Sequence, residues 1–223
     1  MDSNKRLLVK KFSERLAWIS PMAIEFCTPA SKLTDRNQHA MNRDHPHAYN
    51  DRGYFLESER RGEILGGAWD SVSLRFKELI EYVALNEHIN GIKPWRNSIF
   101  AKRHELPSNP DIGYIGRGYS TFNEFLVSRE KEINNLINQI TQDGVLPAGG
   151  NGVKQAFADD ISVNVGRSGL LLFNNRGHHR LAIAKILSIK VIPVQIIVWH
   201  EKYFNNRYVN SNQEILDIIN TKV

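Results

Sequence analysis

Near its C-terminal end the chain reads Leu170-Leu-Leu-Phe-Asn-Asn-Arg-Gly-His-His-Arg-Leu-Ala-Ile-Ala-Lys-Ile-Leu187, and the polar residues inside this run have types and spacing suited to chemistry. The pattern is a buried strand, a polar turn at Gly177, and a helix opening on His178, His179 and Arg180. The first backbone N–H groups of a helix have no partner within it, and the helix dipole is positive at that end. Arg176, Arg180 and the histidines add side-chain donors at the same place. Such a turn is a site for an anion, and a phosphate is the occupant this chemistry favours. Asn174 and Asn175 are placed to support the pocket, although asparagines also occur in turns for backbone reasons alone. Adjacent helical residues point about 100° apart, so one histidine faces the anion while the other steadies the turn. That spacing suits a helical zinc site poorly, and no metal ligand is assigned.

If a phosphoryl group is transferred, a carboxylate must activate the acceptor or hold Mg²⁺. Glu63 and Asp70, in Gly62-Glu-Ile-Leu-Gly-Gly-Ala-Trp-Asp70, are the candidates, because a Gly pair beside Trp and Asp marks close backbone approach. An N-cap role explains Asp70 equally well. His39, His45 and His47 lack both a cysteine partner and regular spacing, which argues against zinc. Ile112-Gly-Tyr-Ile-Gly-Arg-Gly118 neither follows a clear strand nor opens a helix, so it is not a dinucleotide fingerprint. Trp199 to Arg207 mixes aromatic and basic residues. The segment reads either as a surface for stacking bases or as packing of the last helix.

Several elements must position these residues. A helix is expected from Lys5 to Ile19, then a polar stretch from Thr28 to Asp51 with no sustained period. Leu74, Leu79, Ile80, Val83 and Ile89 form a helical stripe starting after Asp70 or Ser71, with Gly91 and Pro94 as the stop. Thr121-Phe-Asn-Glu124 is a capping-box pattern, and the apolar stripe behind it runs to Gly144 as one helix or two. After a Gly-rich turn at Gly149 to Gly152, Ile161 to Val165 alternates, Arg167-Ser-Gly169 turns, and Leu170 to Phe173 completes a hairpin. The helix from His178 leads to Val191–Trp199, an apolar run expected to be covered on both faces.

The 223 residues suffice for a full core, and 41% hydrophobic with 24% charged residues is an ordinary globular composition, which argues against disorder. The longest apolar runs fall well short of the ~20 residues of a membrane helix, and the first residues lack a signal-peptide core. Cys27 is the sole cysteine, which excludes an intramolecular disulfide and fits a reducing compartment; a cytoplasmic location is expected. From Gly166 onward there are eight Lys or Arg against three acids, an excess equal to the +5 of the whole chain. An excess so concentrated suits a polyanionic partner, nucleotide or nucleic acid, as well as a merely solvated face.

The order of elements resembles the ParB/sulfiredoxin superfamily. The residues that carry the resemblance are Ile133 to Gln142, the Asp143-Gly-Val-Leu-Pro147 turn, the hairpin, Gly177-His-His-Arg180, and the helix and strand after it, roughly residues 129–200. The resemblance implies an α+β fold with a small mixed sheet and helices across 121–223, preceded by a mainly helical or irregular extension over 1–120. It implies that Gly177–Arg180 hold the phosphates of ATP or another nucleoside triphosphate with Mg²⁺, with phosphotransfer, as by a phosphotransferase or kinase, the reaction such a site would serve. His178 stands where sulfiredoxins carry their cysteine, which argues against sulfinic-acid reduction. Arg176 stands where kinase-like members carry Asp. A ParB-like DNA-binding or nuclease module is the alternative, although only 24 residues follow Trp199, too few for the partitioning proteins' DNA-binding domain. A non-catalytic interaction protein is a third reading. The acceptor, nucleobase and oligomeric state stay open.

Overall fold

A computed structural model of the chain describes residues 13–28, 61–71, 74–105, 113–149, 160–174 and 176–205, together with residues 7, 9 and 10. The architecture is mixed α/β. Six strands, β1 (Leu16–Ile19), β2 (Phe26–Cys27), β3 (Glu63–Leu65), β4 (Ile161–Val165), β5 (Leu171–Phe173) and β6 (Ile192–His200), form one sheet in the order β1-β6-β4-β5-β2. Strand β6 is the axis, and all nine of its residues are buried, as its apolar run requires. On one edge it pairs in parallel with β4. Its other edge is covered in succession by β1, antiparallel from Leu16 opposite Gln195 to Ile19 opposite Ile192, and by β3, parallel with Glu63 opposite Val198. Strands from both sides of residue 120 therefore share one sheet, and the N-terminal part contributes three strands beside its helices.

The hairpin expected from alternation is β4–β5, closed by bonds from Gly166 N–H to Leu170 O and from Gly169 N–H to Gly166 O. Helix α1 (Ile80–Ile89) and the short α2 (Ile99–Lys102) lie beside α4 (His178–Ile186), which joins β5 to β6. Between them in sequence, α3 (Phe122–Asp143) is one continuous 22-residue helix. Thr121 Oγ1 accepts from Glu124 N–H, while the Glu124 carboxylate accepts from Ser120 N–H, so the reciprocal half of the cap lands one residue early. Gly144 ends the helix at φ 73°. A last short helix, α5 (Glu201–Asn205), follows β6 directly.

Two expected helices are shorter than their apolar stripes. The first gives way to β1 at Leu16, because β6 offers that segment an open edge and a helix would leave the edge uncovered. The second does not begin at Asp70 or Ser71. The backbone at 74–76 is occupied by the segment before it, Cys27 N–H donating to Leu74 O and Phe76 N–H to Glu25 O, so regular helix waits until Ile80. The polar stretch beyond Thr28, the three N-terminal histidines and positions 150–152 of the Gly-rich turn lie outside the described residues.

Candidate anion-binding site

Gly177 opens α4 in the left-handed region, φ 78° and ψ 22°. An added Cβ there would lie 2.7 Å from Ile161 Cγ1 and 2.8 Å from Ile161 Cα, so the turn presses directly on the first residue of β4. Two further bonds lock it down: Ser162 N–H donates to Arg176 O at 3.2 Å, and Arg176 N–H donates to Ser162 Oγ at 3.0 Å. The first helical bond runs from Leu181 N–H to Gly177 O, which leaves the N–H groups of His178, His179 and Arg180 ahead of it at the positive end of the helix. The first turn of α4 contains no acidic residue.

The side chains converge with the backbone. His178, His179 and Arg180 are half-buried and Arg176 is exposed. The two imidazoles lie 4.1 Å apart between centroids, and Phe100 of α2 meets His179 edge-on at 5.7 Å. Arg180 Nη1 reaches Leu146 O at 3.5 Å, on the turn that follows α3. The same turn is held from below by Asp160, whose buried carboxylate accepts from Ala148 N–H at 2.7 Å. Behind Phe100 the Arg103 guanidinium lies 4.2 Å over the ring and pairs with Glu81 of α1 at 3.8 Å, both side chains being almost fully buried.

The other residues singled out from sequence are elsewhere. Asn174 is fully buried, its Oδ1 accepting from Asn164 Nδ2 at 3.1 Å in a network that also holds Thr28, so it stitches β4 to β5. Asn175 lies outside the described residues. Glu63 sits on β3 beside the C-terminal end of β6. Asp70 is at that same end, where Arg167 grips it with its backbone N–H at 2.6 Å and with Nε and Nη2. His200 stands behind, 3.6 Å from the carboxylate. Burial opposes the Asp70 charge, but the hydrogen bonds from Arg167 and the charges of His200 and Arg167 outweigh it and hold the carboxyl below its ordinary value. Its N-cap role is not taken up: Asp70 clasps the β4–β5 turn.

Gly177 thus meets β4 at Ile161, and Asp70 meets it beyond Val165, at Gly166 and Arg167. At about 3.3 Å per residue the two points are about 16 Å apart along the strand. The structure does not bring Glu63 or Asp70 to the turn. Among the described residues, carboxylates on the turn's side include Asp160 and Glu81, which sequence reasoning passed over. Signals for both were present: Asp160 stands immediately before the alternating strand, and Glu81 shares a helical stripe with the buried Ala84 and Leu85.

Among the described residues, no group of three or more His, Cys, Asp or Glu is arranged to hold a metal ion, and no helix is long and apolar enough to cross a membrane. No family model, curated protein or solved structure matches the chain.

Proposed function

We propose that this protein binds a nucleoside triphosphate, with the terminal phosphates seated on Gly177-His178-His179-Arg180, and that the fold around the site is of the ParB/sulfiredoxin type. The observation that carries the reading is Gly177: a left-handed residue with no room for a Cβ, opening an acid-free helix on two histidines and an arginine. A turn that merely started a packing helix would account for the close approach to Ile161 but would not need the cations. The sequence of α3, the Gly144 turn, the β4–β5 hairpin, α4 and β6 agrees with the fold reading. Mg²⁺ would arrive with the triphosphate, held mainly by phosphate oxygens and water. The phosphotransferase form of the proposal loses support from Glu63 and Asp70, which stand at the far end of β4, and would have to draw on Asp160 or Glu81.

The rival is a nucleic-acid module using the same turn. Its main support, the C-terminal excess of positive charge, is weakened by where the cations go. Arg167 is committed to Asp70, Lys185 is largely covered beside Phe76, and Arg207 and Lys222 lie outside the described residues. Arg176 and Arg180 stand at the turn, whereas Lys190 is exposed between α4 and β6 and Lys202 follows β6 at the opposite end. Two clustered cations suit one triphosphate better than a strand of phosphates. Calorimetric titration with a nucleotide panel, with and without Mg²⁺, tests the proposal, and a salt series separates the two readings. Binding of a triphosphate that survives physiological salt is expected. DNA affinity falling about 10³-fold between roughly 50 and 200 mM salt, with no nucleotide binding, would replace it with the rival.

A further inference from the structure

We propose that Phe100, clamped by the buried Glu81–Arg103 pair, is a positioning residue that sets the ring of His179 for phosphate binding. This rests on the anion-binding reading of Gly177–Arg180. A buried Arg–Glu pair rarely improves on well-packed apolar side chains, because both charges lose their water. Here the pair has a geometric result. Glu81 is 1% and Arg103 6% exposed in their side chains, and the guanidinium so held lies 4.2 Å over the Phe100 ring centroid. His104, itself buried, meets the same ring edge-on at 5.6 Å, so Phe100 is confined on two sides. The ring then presents itself at 84° to His179, and His178 lies against the other imidazole 4.1 Å away. His179 thus stands between the Phe100 and His178 rings. Residues of three helices thereby converge on one imidazole at the first turn of α4. The charged and titratable groups around it are His178 and Arg180 from α4, Arg103 and His104 from the residues after α2, and Glu81 from α1.

The test uses the full chain, inorganic tripolyphosphate as probe, and the variants Phe100→Leu, Phe100→Tyr and Arg103→Lys. Two readouts are followed: the His179 ring resonances in the ligand-free protein, and tripolyphosphate affinity by calorimetry across the range where histidine titrates. Phe100→Leu and Arg103→Lys are expected to move the His179 resonances and to weaken tripolyphosphate roughly 3- to 10-fold, the size of one lost aromatic contact, with an altered pH profile. Phe100→Tyr, which keeps the ring, restores both. Wild-type His179 signals and affinity in a folded Phe100→Leu protein would overturn the proposal; if that variant does not fold, the same result in Arg103→Lys would do so. Failure of the wild type to bind tripolyphosphate would instead overturn the anion reading, and the ligand-free resonances would still report whether Phe100 holds the ring.

Discussion

Replacing Gly177 with alanine isolates the feature on which the turn depends. Two penalties apply. The residue sits at φ 78°, where an L side chain costs about 1–3 kcal/mol. The new Cβ would also fall 2.8 Å from Ile161 Cα and 3.1 Å from Ile161 N, backbone atoms that cannot swing away, and forced overpacking of this kind costs about 1–3 kcal/mol more. A total of roughly 2–6 kcal/mol is a large part of the ~5–15 kcal/mol that holds a typical domain folded. Gly91 supplies the control, because it has φ 69° but nothing within 4 Å of its Cβ position. Gly91→Ala should therefore show the conformational penalty alone. Urea unfolding followed by circular dichroism measures both, with a lowered midpoint and an unchanged slope expected for each. Equal losses in Gly177→Ala and Gly91→Ala would refute the claim that β4 closes against the turn, and with it the argument that this glycine is there for close approach.

Arg180→Ala should weaken triphosphate binding by about 1.5–3 kcal/mol with an unchanged circular dichroism spectrum, as expected for one lost charge-assisted hydrogen bond; full affinity in calorimetry would remove the site. Folding lowers the Asp70 carboxyl below its ordinary 3.8, so its stabilisation is complete above that pH and disappears as pH falls through the lower folded value. The Tm difference between wild type and Asp70→Asn should accordingly be largest above pH 3.8 and close in stronger acid, and a difference independent of pH would contradict the Arg167 clasp. Burial pushes Lys185 down from 10.5 to about 8, against the opposing pull of Glu25 and Cys27. Between those values the unfolded chain binds the extra proton, so stability rises with pH there, and Lys185→Met should abolish that rise in a pH series of urea midpoints.

The part of the fold legible in the sequence is the part whose signals are local. Strands β4 and β5 announce themselves by alternation and a glycine turn, α3 by its cap and its terminal glycine, and β6 by an apolar run too short for a buried helix. The N-terminal strands carry no such period. Strand β2 has two residues and β3 three, and β3 finds its partner some 135 positions later in the chain. Their strand character comes from the open edges of β5 and β6, which bind any extended segment delivered to them. Leu16–Ile19 illustrates the competition: its apolar residues continue a helical stripe, and pairing with β6 overrides that preference.

The candidate site divides along the same line. Gly177 to Arg180 could be read from sequence because a glycine, two histidines and an arginine at a helix start act together through adjacent backbone. Glu63 and Asp70 could not be placed, since nothing in their surroundings indicates which end of a strand they will meet. The answer depends on Arg167, which follows β4 by two residues and takes Asp70 to the end opposite Ile161. One strand thereby keeps two electrostatic tasks apart. At its start stand the positive end of a helix and two arginines, and at its end a carboxylate is neutralised by an arginine. Had Asp70 been delivered to the Gly177 end, its charge would have opposed the anion proposed for the turn. The separation that removes Asp70 from the turn leaves Asp160, held by Ala148 N–H, as a carboxylate at the start of β4.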